Sequence, residues 1–381
     1  MSDKKRQIQI SLPSTGEDEW LATKEPIMSG WLTHGPKVGE FEKAFAKRHD
    51  VKHALAVTSC TTGLHLALAA LGVSEGDEVI VPAFTWVATA NVVLYCGATP
   101  IFVDIDIADF NMDMNQVKNA ITEKTKAIIP VHLFGVCADM TALKSIAGNI
   151  PIVEDAACAS GASFNNSAAG SLGNIGVFSF HPRKSITTGE GGMVTTNDDD
   201  LAEKMNMLRN HGASISEEQR HNGPRPYLLP EFNLLGFNYR MTDLQGSVGL
   251  VQLAKLDGFI NERQQWATYY ENELAEIDWL RTPKVPSGTK AAWQAYVCYV
   301  DAKKAPMPRN EIMEILQQKG ISTRPGTHAV HMLGLYRDQF DIKPEDFPCA
   351  QKADAQSMAI PLHNRMNVED YEYVVKILRG I

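Results

Sequence analysis

DEVIVPAFTWVATANVVLYCGATPIFVDI, residues 77–105, contains an apolar run, a helix-length stretch and a second apolar run. Val79, Ile80 and Val81 follow one another without polar alternation, and Pro82 closes the run. Residues 85–98 read as a helix and 99–105 as the next strand. A strand that is apolar on both sides is covered on both sides, and strands separated by helices pair in parallel. On the N-terminal side, HALAVTSCTTGLHLALAALGV (53–73) repeats the order: a strand, a hydroxyl-rich turn, then a helix carrying Leu64, Leu66, Leu68 and Leu71. On the C-terminal side, KAIIPVHLFG (126–135) and PIVEDAACASGA (151–162) each predict one more strand. The expected fold class is α/β, a mostly parallel central sheet covered by helices. In such sheets ligands lie at the carboxyl ends of strands. Those ends are residues 58–62, 82–86, 132–135 and 154–158.

Further out, Val38, Phe41 and Phe45, with charges between them, predict an amphipathic helix after the Gly35-Pro36 turn. Another helix follows Thr196, where Asp198, Asp199 and Asp200 supply a cap and favourable charge. Residues 213–241 form a long polar loop, of the length that is commonly functional or partner-contacting. From Thr242 a long helical pattern leads into shorter elements: a strand in AAWQAYVCYVDA, a helix in RNEIMEILQQKG, a loop with two histidines in STRPGTHAVHMLGLY, and a closing helix in VEDYEYVVKILRGI. The expected division is a large domain over 1–250, then the linking helix and a small α+β domain over 251–381.

The 381 residues suit two domains or one large one. With 44% hydrophobic and 21% charged residues the composition is that of a folded globular chain. The net charge of −9 and the lack of any long lysine and arginine run argue against a nucleic-acid surface as its main business. The six cysteines (Cys60, Cys96, Cys137, Cys158, Cys298, Cys349) are scattered, with no CxxC pair and no zinc spacing, which fits a reducing compartment. The opening residues hold no apolar core of signal-peptide length, and no apolar run approaches about 18 residues. The expectation is a cytoplasmic protein.

The chemistry concentrates around VFSFHPRKSITTGEGGMVTT, residues 177–196. Lys184 stands between two strand patterns, beside a glycine turn, so backbone holds it in place. Lysine forms Schiff bases with carbonyls when its amine is deprotonated. Taken alone, a lysine before a hairpin is more often a surface residue. Its company changes the weighting. The turn 58–63 opens a helix with hydroxyls and free amides, a phosphate cup. Trp86, just past a strand end, offers a flat face to a planar ring. Asp155 ends the strand PIVED, where a carboxylate can keep a pyridinium nitrogen protonated. Cup, aromatic face, aspartate and lysine, in that order on a parallel sheet, are the parts of a pyridoxal-phosphate site.

These residues also carry a family resemblance. SGWLTHGPKVGEFE, GDEVIVPAFTWVATANVVLYCGATPIFVDID, TKAIIPVHLFG, VEDAACASGA, FSFHPRKSITTGEGGMVTTND, GFNYRMTDLQGSVGL and IPLH resemble the sugar aminotransferases of the DegT/DnrJ/EryC1/StrS family, within the aspartate aminotransferase fold (fold type I). The likeness runs over roughly residues 25–380. It implies pyridoxal 5'-phosphate as cofactor, Lys184 as the Schiff-base lysine, Asp155 at the ring nitrogen, Trp86 on the ring face, and Cys60, Thr61 and Ser179 around the phosphate. It implies that Asn238 reaches the phosphate from a neighbouring subunit, so the site is shared across a homodimer. It implies L-glutamate as amino donor and a keto-sugar, probed by His181, as acceptor. Chains with Ser-Phe-His-Pro-x-Lys resemble those that aminate C4 of nucleotide-linked 4-keto-6-deoxy sugars, for surface polysaccharide such as the O-antigen of lipopolysaccharide, or other glycoconjugates. His331 resembles a substrate-side histidine of the family, and His328, Arg324, His363 and Arg240 are further candidates.

Two positions depart from the family pattern. Cys60 replaces a glycine of the phosphate turn, so either its φ is negative or the turn differs. Cys158 stands where Gln, His or Glu is usual, and a thiol is a poor hydrogen-bond donor to the cofactor's phenolic oxygen. Four other readings compete: a 3-keto-sugar aminotransferase, a dehydratase of the same fold, a non-catalytic regulator and a dinucleotide-binding oxidoreductase. Lys184 speaks against the dehydratase, the lack of a DNA-binding module against the regulator, and the lack of G-x-G-x-x-G after the first strand against the oxidoreductase.

Overall fold

The computed structural model describes residues 6–215, 227 and 229–381. The stretch that opened the sequence reading folds as strand Glu78–Pro82, a two-residue strand Phe84–Thr85, helix Ala88–Tyr95 and strand Thr99–Val103. Glu78–Pro82 pairs in parallel with Thr99–Val103 on one side and with Thr125–Ile128 on the other. Parallel bridges from Ile128 to Ile152 and from Val131 to Asp155 carry the sheet on to Val153–Asp155, which pairs in parallel with Ile175–Ser179. Gly192–Thr196 then runs antiparallel to Ile175–Ser179, and His53–Val57 lies antiparallel on its far side. The α/β class and the mostly parallel sheet are as expected, with one reversed strand that belongs to the lysine hairpin.

The absence of alternation has a direct cause. Successive side chains of a strand point to opposite faces, and here each face has its own core. Val79 and Val81 join one core with Val57, Val153, Val177 and Val194. Ile80 joins the other with Ala56, Ile128, Phe178 and Met193. The second core is closed by helix Pro36–Arg48, whose Val38, Phe41 and Phe45 are fully buried. That helix is capped from a distance: Asp243, at the start of the long helix Asp243–Leu274, accepts from the N–H groups of Gly35, Lys37 and Val38 at 2.9–3.1 Å. A third core, with Tyr270, Tyr296 and Tyr371, is built mainly from the C-terminal part of the chain and also takes in Ile8 and Val136.

Three expectations need correction. The strands anticipated over 126–135 and 151–162 stop at Ile128 and Asp155. Pro130 has no N–H for the ladder, and Phe134 and Gly135 turn the chain with φ of 58° and 92°. Beyond Asp155 the chain turns away, with Gly161 at φ 88°. The histidine-bearing segment anticipated as a loop is partly ordered: His328 and Ala329 pair with Thr85 and Phe84, and helix Gly334–Phe340 follows. Its strand partner lies far back in the chain, so local pattern carried no sign of it. Within the long loop 213–241, residues 216–226 and 228 lie outside the described residues. No helix among the described residues is long and apolar enough to cross a membrane.

Candidate active site

The turn after His53–Val57 is a capped helix start. The Ser59 hydroxyl accepts from the Thr62 N–H at 3.1 Å, and Thr62 Oγ1 accepts from the Ser59 N–H at 3.0 Å. Helix Cys60–Ala70 begins at the next residue. Cys60 is not among the residues with positive φ, which resolves the substitution of glycine: the turn needs no left-handed residue here. The first-turn N–H groups of Cys60 and Thr61 have no intrahelical acceptor and are of the kind that can take an anion. Gly192 presses on this turn: a Cβ there would lie 2.7 Å from the Ser59 carbonyl carbon and 2.8 Å from the Cys60 nitrogen. Ser179, buried, is the register partner of Gly192 in the hairpin.

Glu154 and Asp155 end their strand on opposite faces. Glu154 is satisfied in the core by His132 Nε2–H and the Gly170 N–H, both at 2.8 Å, and by the Gly173 N–H. Since His132 Nδ1 accepts from the Ala138 N–H, its ring proton sits at Nε2. Asp155 faces the strand-end cleft. Its Oδ2 accepts from Thr89 Oγ1 at 2.8 Å, its Oδ1 from the Ala157 N–H at 3.2 Å, and Cys60 Sγ lies 3.9 Å from Oδ1. Burial raises its pKa, against the pull of Thr89, Ala157, Lys184 and His132. Beyond Thr89, the Ala157 N–H and the weak Cys60 thiol contact, the carboxylate keeps acceptor capacity for a ligand donor.

Lys184 is anchored as expected of a backbone-held residue. Its N–H donates to the His181 carbonyl at 2.9 Å, and the neighbouring Arg183 carbonyl accepts from Gln294. The far side of the turn is tied down by Thr187 Oγ1 to the Phe180 carbonyl and by Gln245 to the Glu190 carbonyl. Lys184 Nζ ends 3.2 Å from Cys158 Sγ. Burial pulls the ammonium pKa down, but Cys158, Cys60 and Asp155 outweigh it and hold it above the usual lysine value. Lysine, aspartate, both cysteines and the capped turn thus converge, from the ends of three strands, His53–Val57, Val153–Asp155 and Ile175–Ser179. Trp86 stands at the same edge of the sheet, 55% exposed, its ring 5.5 Å from that of His328 in a T-shaped contact.

The other candidates are distributed differently. His181 is half-buried, its Nδ1 accepting from the Arg183 N–H, and burial lowers its pKa. His331 is fully buried, packs on Phe347 and donates through Nε2 to the Pro344 carbonyl. His363 is buried and bonded to the Gln9 carbonyl. Arg324 is exposed beside Arg6 and Gln317 in a second cavity. Neither His331, His363 nor Arg324 is bonded to Lys184 or Asp155. Asn238 is exposed and bridged to Asn210, whose side-chain oxygen accepts from Arg240 at 2.5 Å. Arg240 also lines a cavity of about 640 Å³ with His34, Glu42 and Arg209, away from the lysine. Thr85 and Thr89 escaped the sequence reading: Thr85 ends a two-residue strand and Thr89 lies in the first turn of helix Ala88–Tyr95, so no single periodicity pairs them.

A profile of the DegT/DnrJ/EryC1/StrS aminotransferase family matches residues 13–379. The chain belongs to this family. Among relatives of DegT/DnrJ/EryC1/StrS type, it is 40% identical to the spore coat polysaccharide biosynthesis protein SpsC of Bacillus subtilis (strain 168), over 98% of this chain and 97% of that one. It is 39% identical to the GDP-perosamine synthase of Caulobacter vibrioides, over 99% of both chains. Its fold superposes on the PLP-form of the putative sugar aminotransferase Spr1654 from Streptococcus pneumoniae with a TM-score of 0.90, at 28% identity and 98% coverage of both chains. The expected family, fold and class of enzyme, a pyridoxal-phosphate aminotransferase, therefore hold. The residues present also fit the cofactor on their own terms. A helix start with free amides suits its phosphate, and a buried carboxylate with spare acceptor positions suits its ring nitrogen. An exposed indole suits its ring face, and an amine beside that carboxylate suits its aldehyde.

Proposed function

We propose that this chain transfers an amino group from L-glutamate to the keto carbon of a nucleotide-linked 4-keto-6-deoxyhexose, making an amino-sugar for a surface polysaccharide or glycoconjugate. The carrying observation is the convergence of Lys184 Nζ and the buried Asp155 carboxylate at one end of the sheet, with Cys158 3.2 Å from the amine. The likeness to a GDP-perosamine synthase supports a nucleotide-linked sugar.

Bound pyridoxal phosphate supplies an aldehyde that condenses with amines and a ring that accepts the electron pair of the adjoining carbon. In this reading Cys60, Thr61 and Ser179 hold its phosphate, Trp86 covers its ring and Asp155 keeps its nitrogen protonated. Lys184 Nζ, as a free amine, takes the α-proton of the donor and later returns a proton to the sugar side. His181 and His328 stand on the acceptor side. A second copy of the chain brings Asn238 to the phosphate. The exposure of Leu229, Phe232 and Leu235 beside Asn238 supports such a dimer, because apolar residues of this size gain from being covered. Residues 1–250 would hold the cofactor and 251–381 would shape the acceptor side, in a cytoplasmic enzyme.

A panel of nucleotide-linked 3-keto and 4-keto sugars, assayed for glutamate-dependent amination, tests this. Amination of 4-keto substrates is expected; turnover of 3-keto substrates alone would overturn the regiochemistry. Lys184→Ala should abolish the borohydride-trapped adduct, and a wild-type protein that ignores pyridoxal phosphate would sink the whole reading.

A further inference from the structure

Asp155 does not stand alone. Thr89 Oγ1 donates to Asp155 Oδ2 at 2.8 Å, and Thr85 Oγ1 lies 3.2 Å from Thr89 Oγ1. Both threonines are buried, at 0% and 1% exposure. Each hydroxyl has one proton to give. A carboxylate only accepts, so the Thr89 proton is committed to Asp155. The Thr89 oxygen must then accept, and Thr85 is the donor. The two hydroxyls are aligned in one direction, each strengthening the next in surroundings that exclude water. Thr85 is in turn held by the antiparallel pairing of Phe84–Thr85 with His328–Ala329, on the strand that leads into Trp86.

We propose that Thr89, with Thr85 as its donor, is a positioning residue that fixes the Asp155 carboxylate so that its spare acceptor positions meet the cofactor's ring nitrogen. This rests on the reading of Asp155 as the partner of that nitrogen. The charged and titratable groups around Asp155 are Lys184 and Cys158 beyond it, Cys60 on the capped helix and His132 on the adjacent turn. None of these replaces a hydroxyl donor at Oδ2: Lys184 is engaged with Cys158, and His132 with Glu154. The pairing also couples the segment carrying His328 to the aspartate through one strand, without direct contact between them.

The deciding comparison is Thr89→Val against Thr89→Ser in the holoenzyme. Valine keeps the shape and removes the hydroxyl, whereas serine keeps the hydroxyl and loses a methyl group. If Thr89 only filled space, valine would be the milder change. The positioning role predicts the reverse. Thr89→Val raises the dissociation constant for pyridoxal phosphate about tenfold, the size of one lost hydrogen bond to a charged group. It lowers kcat more than it alters the KM for the amino donor, and Thr89→Ser restores both. If Thr89→Val fails to fold, Thr85→Val carries the test, with a smaller loss of cofactor affinity in the same direction. Asp155→Asn separates the two levels of the inference. If Asp155→Asn loses affinity and turnover while both threonine variants keep wild-type values, the positioning role falls and the Asp155 assignment stands. If Asp155→Asn is also indistinguishable from wild type, the assignment falls with it.

Discussion

The amine of Lys184 and the thiol of Cys158 lie 3.2 Å apart, at the ends of two neighbouring strands of the central sheet. The position of Cys158 follows the strand that ends in Asp155, so the same turn that delivers the carboxylate delivers the thiol. Burial opposes the charge on Lys184, and its contacts with Cys158, Cys60 and Asp155 sustain it.

Removing the thiol tips that balance. In Cys158→Ala, burial is less opposed, the amine pKa falls, and a larger share of Lys184 is uncharged at a given pH. The pH profile for uptake of pyridoxal phosphate by apoprotein, fixed with borohydride, should shift to lower pH. An unshifted or alkaline-shifted profile would show that Cys158 does not set the state of the amine.

Gly192→Ala should damage the phosphate turn from the opposite strand. The added Cβ would meet the Ser59 carbonyl carbon at 2.7 Å and the Cys60 nitrogen and Phe178 oxygen at 2.8 Å, all of them backbone atoms. Backbone in a sheet and a helix start cannot swing aside as a side chain can. A stability loss of about 1–3 kcal/mol is expected from the forced shift, together with weaker binding of pyridoxal phosphate. Thermal melting and a cofactor titration read the two effects separately. Unchanged cofactor affinity would place the phosphate elsewhere.

Asn238→Ala should leave the fold intact, because the side chain is exposed and the bridge to Asn210 is made by backbone. Weaker cofactor retention is expected only where two copies associate. Sedimentation of wild type should give a dimer, and dilution should release cofactor in step with dissociation. A monomer with full activity would refute the shared site.

His49 supplies a pH dependence of stability. Its ring stacks on Phe45 at 4.0 Å, its Nδ1–H donates to the Phe45 carbonyl, and Nε2 has no partner. Burial lowers its pKa to about 3. The unfolded chain takes up a proton near the usual histidine value of about 6.5 and the folded chain does not. Stability is therefore lost as pH falls below that value, at about 1.4 kcal/mol per unit, until the folded pKa is reached. His49→Phe removes this term along with one hydrogen bond. At pH 7.5 the variant should be less stable by about 1 kcal/mol, and the gap should close or reverse by pH 5.5. Parallel unfolding curves at both pH values would contradict this.

The placement of much of the candidate site was readable from residue types because its parts sit where strands end. Asp155 closes an apolar run, Lys184 precedes a glycine turn and Trp86 follows Pro82, and a parallel sheet gathers such points at one edge. Cys60 was the ambiguous position, and the structure settled it with an ordinary helix start. His331, by its resemblance to a substrate-side histidine of the family, and His363 were substrate candidates, and both rings are buried against backbone acceptors. Thr89 carried no signal of its own, since its partner Asp155 is 66 residues away.

The sequence by itself determined the layered α/β fold, the order of the cup, indole, carboxylate and amine, and the family. Hydrophobic pattern and residue chemistry are local and suffice for the fold and the order of those groups; the family came from the resemblance of whole motifs. Only the tertiary structure decided which groups share protons. Thr85 with Thr89 and Asp155, His132 with Glu154, and Lys184 with Cys158 meet through sheet register and helix packing. Hydrogen bonds depend on distances of a few tenths of an ångström that no spacing along the chain encodes.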